Sequence, residues 1–209
     1  MKLGIVGGTF DPIHVAHCYL MEECRLVLDL DNILVIPNGD PPHKDSTAAD
    51  AVHRLAMARL ATNGYENLVV SDLEAADPEI SYTFKTLKKL KEMYPADTLY
   101  FIMGADSMIN FQRWQNPELI MKLAVLVCFD RPNYRAEELS AAIELVREQG
   151  GQVIWINSLE LEISSTDIRN RVERNFPHRA FLHPAVYDYI HSNGLYQADL
   201  SKITPESDR

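Results

Sequence analysis

Two glycines, a threonine and two histidines follow the first apolar run of the chain, in the order Gly7-Gly8-Thr9-Phe10-Asp11-Pro12-Ile13-His14-Val15-Ala16-His17. Glycines let a ligand approach the backbone closely, and the first turn of a helix offers N–H groups and a positive dipole. His14 and His17 are three residues apart at the predicted start of a helix, so both lie on one face. The pattern predicts a phosphate site in which two imidazoles stabilise developing negative charge.

Two other interpretations of the histidine pair stay open. The glycines follow the order G-x-x-G-G, which is neither the dinucleotide fingerprint nor a Walker A loop. The pair could be half of a metal site, but the sequence contains no H-E-x-x-H and no cysteine pair at ligand spacing. A purely structural role is the third interpretation.

A second polar motif, Ile163-Ser164-Ser165-Thr166-Asp167-Ile168-Arg169, lies near the other end of the chain. Taken alone, its simplest interpretation is a helix cap, because serine and threonine cap helices and an aspartate in the first turn suits the dipole. The alternative is a second anion site, in which hydroxyl groups, backbone N–H groups and Arg169 hold a phosphate.

A third motif, Gly104-Ala105-Asp106, follows the most apolar run of the chain. An acidic side chain at the end of such a strand can accept hydrogen bonds from ribose hydroxyl groups. The alternative is that Asp106 caps the next helix.

The elements that must position these motifs are apolar runs that alternate with helical segments. The runs are nearly continuous, which is typical of parallel strands buried on both faces. Strands are predicted at 3–6, 33–36, 68–70, 99–103, 123–129 and 153–156. Helices are predicted at 14–28, 51–63, 82–93, 106–121 (broken near Pro117), 136–148, 165–174 and 184–192. The pattern predicts an α/β fold: a doubly wound, mostly parallel sheet of about six strands with helices on both faces.

Two side chains have predicted environments that the structure can test. Arg54 falls on the side of its helix away from the apolar stripe, and Trp155 lies inside an apolar strand and is assigned to the core. The region 38–50 is the longest predicted loop, at the carboxyl end of a strand, where open α/β sheets bind ligands. We predict a single domain at 1–196 and a polar tail at 197–209.

Composition excludes several classes of function. Thirty acidic against twenty basic residues give a net charge of −10, which disfavours binding to nucleic acid or to an anionic membrane. No apolar run approaches the roughly 20 residues that a membrane span requires, and the start does not resemble a signal peptide. Three cysteines do not make a disulfide framework. We expect a cytoplasmic protein.

The motifs together resemble the nucleotidylyltransferase superfamily with the (H/T)xGH signature. Further segments are similar to bacterial nicotinate mononucleotide adenylyltransferases, and the resemblance covers residues 2–196. These segments are Pro41-Pro42-His43-Lys44, Ser81-Tyr82-Thr83, Gly104-Ala105-Asp106, Trp114 and the ending 189–196.

The resemblance implies a Rossmann-like fold and a step of NAD biosynthesis: adenylyl transfer from ATP to nicotinate mononucleotide, giving deamido-NAD and pyrophosphate. Mg²⁺ would act with ATP, without a dedicated set of metal-binding residues. His14 and His17 would be catalytic. The implied ATP-binding residues are Gly7, Gly8, Thr9, Phe10, Gly104, Asp106, Ser164, Ser165, Thr166 and Arg169. Those implied for the acceptor are Lys44, Arg54, Thr83 and Trp114.

One position departs from the family pattern, because Ala16 replaces the usual glycine between the two histidines. Alanine is small and favours helix, so we expect activity to survive.

The alternative functions are the same chemistry on nicotinamide mononucleotide or phosphopantetheine, and a non-catalytic nucleotide-binding regulator. We expect small-molecule partners only, ATP and the acceptor, without nucleic acid or membrane. A homo-oligomer stays open.

Overall fold

Six parallel strands form one sheet in the computed structural model, which describes residues 1–39, 48–76, 81–129, 136–159 and 161–197. The strand order is β3-β2-β1-β4-β5-β6. The strands are β1 (Lys2–Gly8), β2 (Asn32–Pro37), β3 (Leu68–Val70), β4 (Thr98–Gly104), β5 (Ala124–Phe129) and β6 (Val153–Ile156). All six predicted strands are therefore confirmed, with bounds that differ by at most two residues.

Eight helices connect and follow the strands in the described parts of the chain. They are α1 (Val15–Leu28), α2 (Ala51–Thr62), α3 (Thr83–Met93), α4 (Ala105–Ile109), α5 (Pro117–Leu123), α6 (Ala136–Glu148), α7 (Ser165–Glu173) and α8 (Pro184–Ser192). Short 3₁₀ turns lie at Phe111–Arg113 and Arg179–Phe181. None of these helices is long and apolar enough to cross a membrane.

The helix predicted at 106–121 is interrupted by a longer break than the sequence indicates. Asn116 adopts a left-handed conformation with φ of 52°, and Pro117 occupies the first position of α5. Proline is favoured at that position because its fixed φ suits a helix start and its missing N–H has no partner there. The segment before it, Asn110–Gln115, is therefore a connection outside the α-helices. It contains the short 3₁₀ turn and carries Trp114.

Helices cover both faces of the sheet, as the apolar runs predict. On β2, Ile33 and Val35 pack against α1, α2, α7 and α8, whereas Leu34 and Ile36 face the opposite side with α3 to α6. Successive residues of a strand point to opposite faces. A continuous apolar run therefore fills two cores at once.

Two predicted environments are wrong. Arg54 is completely buried, although its place on α2 predicts the solvent side. Trp155 is 48% exposed, although it lies in an apolar strand. The strand β6 is the edge of the sheet and has only β5 as a neighbour, so one side of Trp155 has no strand to pack against. The reason for the burial of Arg54 lies in the site described below.

The order of the strands defines where a ligand can bind. The strands β1 and β4 are neighbours, yet α1 after β1 and α4 after β4 pack on opposite faces of the sheet. The two connections diverge and leave a crevice at the carboxyl ends of these strands. Open α/β sheets bind their ligands at this kind of switch point.

Gly4, in the middle of β1, provides a test of how tightly the sheet is packed. A Cβ atom there would lie 2.8 Å from Cγ1 of Ile33 and 2.9 Å from Cδ1 of Leu30. We expect Gly4→Ala to lower the free energy of unfolding by about 1–3 kcal/mol, measured by urea denaturation. Gly7→Ala is the control, because its nearest atom would be Oδ1 of Asn38 at 3.8 Å. Equal stability of the two variants would contradict the prediction.

Candidate active site

A cavity of about 640 Å³ opens at the carboxyl ends of the strands, where β1 and β4 diverge. Its walls come from the ends of these two strands, from the start of α3 and from the connection between α4 and α5. Cavities of roughly 300–1,000 Å³ hold small-molecule ligands and cofactors. The crevice that the fold predicts is therefore large enough for a nucleotide.

The structure brings together most of the residues that the sequence singles out. The predicted residues that line the cavity are Gly7, Gly8, Thr9, Phe10, His17, Thr83, Gly104, Asp106 and Trp114. Those that are described but do not line it are His14, Arg54, Ser164, Ser165, Thr166 and Arg169. Lys44 lies outside the described residues.

The glycine-rich turn after β1 is shaped by the ring of Phe10. Phe10 has a left-handed backbone with φ of 50°, and its side chain is 4% exposed. A Cβ atom on Gly8 would lie 3.0 to 3.2 Å from three atoms of that ring. Gly8 is therefore needed for packing within the turn, and the absence of a side chain also leaves the backbone open to the cavity.

The two histidines form a stacked pair at the start of α1. His14 is the N-cap residue, and its backbone N–H donates to Nδ1 of His17 at 3.2 Å. The ring centroids are 3.7 Å apart and the planes differ by 26°. Because Nδ1 of His17 accepts this bond, the proton of the neutral ring resides on Nε2. His17 lines the cavity, whereas His14 is 5% exposed and lies behind it.

The second motif caps α7 and docks that helix on the first motif. Ser164 accepts a hydrogen bond from the backbone of Asp167 at 3.1 Å, so the capping interpretation is confirmed. The hydroxyl of Ser165 donates to the carbonyl of Pro12 at 2.8 Å. Arg169 donates to the carbonyl of Asp11 at 2.7 Å. The N-terminus of α7 is thereby held against the histidine loop.

Asp11 is a buried carboxylate that joins three parts of the chain. It is 3% exposed. Its Oδ1 accepts from the hydroxyl of Tyr196 at 2.7 Å, and its Oδ2 accepts from the backbone of Ala48 at 2.8 Å. Burial, followed by the hydrogen bond to Asp11, raises the pKa of Tyr196 well above its ordinary range. The hydroxyl of Tyr196 therefore remains a donor at any physiological pH.

Arg54 is buried because its guanidinium holds backbone carbonyls. It donates to Thr9 at 2.9 Å, to Gly39 at 2.7 Å and to Ala49 at 3.2 Å. The side chain thus ties the glycine-rich turn to the two ends of the segment that follows β2. This placement corrects the expectation that Arg54 faces solvent from α2, and these three bonds go to the backbone instead of into the cavity.

Another part of the cavity wall combines polar groups with an aromatic ring. Thr83 is the first residue of α3. The indole of Trp114 meets the rings of Phe101 and Phe111 at centroid distances of 6.0 and 5.7 Å. Trp114 is half-buried, more than its polar sequence neighbours predict. Core aromatics therefore fix the ring from one side, and it lines the cavity as well.

Asp106 lies in the first turn of α4 and lines the cavity. The N-cap residue of α4 is Gly104, so the alternative that Asp106 is the cap is wrong.

Sequence reasoning misses two charged residues of the cavity, Glu74 and Arg113. Glu74 is 8% exposed, and its Oε1 accepts a hydrogen bond from the hydroxyl of Thr86 at 2.5 Å. Its position four residues after the end of β3 is a usable signal, because ligand-binding groups follow the carboxyl ends of strands. Arg113 directly precedes Trp114, and that adjacency is the only signal for it.

The fold and the cavity define a class of protein. Residues 5–171 match the family model described as cytidylyltransferase-like, which places the chain among nucleotidyltransferases. The Plasmodium falciparum nicotinic acid mononucleotide adenylyltransferase complexed with NaAD has the same fold, with a TM-score of 0.79. It is 24% identical in sequence, and the match covers 93% of this chain and 97% of that one.

Sequence relatives narrow the class. The probable nicotinate-nucleotide adenylyltransferase of Roseiflexus sp. (strain RS-1) is 41% identical over 196 residues, or 93% of this chain and 98% of its own. That of Clostridium perfringens (strain 13 / Type A) is 36% identical over 200 residues, which cover 95% of this chain and 99% of the relative. The chain belongs to the nicotinate-nucleotide adenylyltransferase family, as the motifs predict, and it is an enzyme.

The buried bond between Tyr196 and Asp11 can be tested by stability. We expect Tyr196→Phe to lower the free energy of unfolding by about 1.5–3 kcal/mol, the typical contribution of a hydrogen bond to a charged group. The raised pKa means that this contribution is fully present below the ordinary tyrosine pKa of about 10 and is lost only above it. The deficit, measured by urea denaturation, should therefore be constant from about pH 6 to pH 9.

The matched control is Tyr187→Phe. No hydrogen bond of the Tyr187 hydroxyl occurs among the described residues, although its ring packs against His178 and His191. If both variants lose the same stability, the bond to Asp11 contributes nothing specific.

Proposed function

We propose that this chain transfers the adenylyl group of ATP to nicotinate mononucleotide, releasing pyrophosphate and forming deamido-NAD. The observation that carries the proposal is one cavity whose walls include both a phosphate-type loop and a separate group of polar and aromatic side chains. The names of the relatives support the same reaction, as does the complex of the Plasmodium enzyme with NaAD.

ATP is assigned to the end formed by β1, α1 and β4. Backbone groups of Gly7, Gly8 and Thr9 line this part of the cavity without bulky side chains. Asp106, at the end of β4, is placed to accept from the ribose hydroxyl groups. The N-terminus of α7 lies beside the histidine loop, so Ser164, Thr166 and the helix dipole are assigned to the outgoing pyrophosphate.

The acceptor is assigned to the end formed by α3 and Trp114. The indole ring is held in place by Phe101 and Phe111, and its face is assigned to stack on the pyridine ring. Thr83 and the backbone N–H groups at the start of α3 are assigned to the carboxylate of nicotinate. Lys44, the residue assigned to the acceptor phosphate, lies outside the described residues.

Catalysis in this arrangement comes from positioning and charge stabilisation. The acceptor phosphate attacks the α-phosphorus in line, and no covalent enzyme intermediate is required. His17 presents the Nε2 side of its ring as the donor, because Nδ1 is engaged by the backbone of His14. His14 stacks behind this ring and holds its orientation, which keeps the donor aimed at the phosphate as charge develops.

Mg²⁺ is proposed to act with ATP. In the described part of the chain, no group of three or more His, Cys, Asp or Glu residues is arranged to hold a metal ion. Mg²⁺ commonly keeps several waters and binds through substrate phosphates, so this donor set fits an ion that arrives on the triphosphate. Bound there, the ion neutralises charge on the triphosphate.

The reaction is tested by measuring pyrophosphate release from ATP and Mg²⁺ with three acceptors in parallel. We expect strong release with nicotinate mononucleotide and much weaker release with nicotinamide mononucleotide and phosphopantetheine. A preference for either of the latter would keep the chemistry but overturn the assignment of Thr83 and Trp114. If a protein that binds ATP released no pyrophosphate with any of the three acceptors, the result would favour a non-catalytic regulator. Ala16 would then be the first position to examine as the cause of the lost activity.

The histidine pair is tested by His14→Ala and His17→Ala. We expect His17→Ala to lower kcat roughly 10²–10³-fold, the scale of losing one charge-stabilising donor, and His14→Ala to lower kcat less, because the donor remains and only its orientation is lost. Because the rings stack and share a hydrogen bond, the double variant should lose less than the product of the two effects. His53→Ala is the control, since His53 contacts Tyr189 and does not line the cavity. A change in KM alone, with kcat intact, would contradict the prediction.

A further inference from the structure

We propose that Arg113 is the specificity-determining residue of the acceptor site: its guanidinium selects the negatively charged carboxylate of nicotinate mononucleotide over the neutral carboxamide of nicotinamide mononucleotide. This inference rests on the proposed function and goes beyond it. It assigns the preference for the acid to one side chain that neither the motifs nor the polar groups of α3 identify.

The first step of the argument is the position of Arg113. It is the last residue of the 3₁₀ turn Phe111–Arg113, whose backbone bonds hold Arg113 to Asn110 and Trp114 to Phe111 at 3.0 Å each. Trp114 is fixed by two core rings. The helix α5 that follows packs against α3. Arg113 is thus attached directly to the proposed stacking ring and lines the same cavity as Thr83.

The second step is the state of its charge. Arg113 is exposed and lines the cavity, and no ion pair or side-chain hydrogen bond of Arg113 occurs in the described parts of the chain. Other arginines are engaged: Arg25 pairs with Glu22, and Arg147 pairs with Glu144. The guanidinium of Arg113 is therefore available to a ligand.

The third step is the charge balance of the cavity. Its other fully charged side chains in the described residues are Glu74 and Asp106, both negative, and the chain carries a net charge of −10. Nicotinate mononucleotide adds a carboxylate and a phosphate to these surroundings. Opposite charges a few ångströms apart attract, and like charges repel by a similar amount. Without a cation at this end, the backbone N–H groups at the start of α3 would have to offset this repulsion alone, and the preference for the acid would be weaker.

The fourth step is the chemistry of discrimination. The hydroxyl of Thr83 can donate to a carboxylate or a carboxamide oxygen and can also accept from a carboxamide NH₂, so it separates the two acceptors weakly. A guanidinium has five donors and no acceptor. It pairs with both oxygens of a carboxylate but finds only one partner on a carboxamide. A permanent positive charge with this geometry favours the acid.

The test compares kcat/KM for the two acceptors at saturating ATP and Mg²⁺ in the wild type, Arg113→Gln and Arg113→Lys. The acceptors share the ribose and phosphate, so their ratio isolates the carboxylate. We expect the acid-to-amide ratio to fall about tenfold in Arg113→Gln, mainly through KM for nicotinate mononucleotide, and to be partly retained in Arg113→Lys, which keeps the charge but not the paired donors. Arg147→Gln, which removes an equivalent charge on α6 outside the cavity, should leave the ratio unchanged.

A second measurement does not depend on variants or turnover. Salt screens an exposed charge, so the wild-type preference for binding nicotinate mononucleotide over nicotinamide mononucleotide, measured by calorimetry without ATP, should weaken between 50 and 500 mM KCl. A preference that is independent of salt would contradict the inference.

The outcomes separate the inference from the proposed function. An equal loss with both acceptors in Arg113→Gln would mean that Arg113 acts on the shared phosphate or on ATP, and would overturn the inference. An unchanged ratio would overturn it as well. A wild type that is inactive with both acceptors would instead overturn the proposed function itself.

Discussion

The buried carboxylate of Asp11 is the interaction on which the site depends. The carboxylate accepts from the hydroxyl of Tyr196 and from the backbone N–H of Ala48. The backbone carbonyl of Asp11 accepts from Arg169. A carboxylate that is 3% exposed is costly unless such donors surround it. The carboxylate therefore holds the segments of Ala48 and Tyr196 against the loop between β1 and α1, and the bond from Arg169 to the backbone of Asp11 adds a third segment. The histidines follow directly after that loop, so their position depends on the same contacts.

Arg54 supplies hydrogen-bond donors to backbone carbonyl groups of the same loop. The turn after β1 is open to a ligand, and its carbonyl groups need donors that do not fill the cavity. A buried guanidinium supplies three such bonds, to Thr9, Gly39 and Ala49. Arg169 donates to the same loop at Asp11. The two arginines therefore hold the loop without lining the cavity, and the cavity stays open to a ligand. Preorganisation of this kind is what a reaction that relies on charge stabilisation requires.

Much of the fold could be predicted because its strands are buried on both faces. A continuous apolar run in β2 or β4 has few alternative interpretations, and the helices between the runs follow from chain order. The burial of individual side chains was harder to predict. Trp155 is apolar but lies on the edge strand, and Arg54 is charged but buried, because burial depends on neighbours that are distant in sequence. The motifs identify the loops of the site, whereas Glu74 and Arg113 enter it through packing of α3 and α5.

The bond between Asp11 and Tyr196 spans 185 positions of the chain, and this span has a consequence for biosynthesis. A ribosome adds roughly 5–20 residues per second, so about 10–40 s separate the synthesis of the two partners. Throughout that interval Oδ1 of Asp11 lacks its tyrosine donor, and the strands already made must pair without the bond to Tyr196. The loop beside the cavity therefore gains this contact only after Tyr196 has been made, when all of the described cavity walls have already been synthesised.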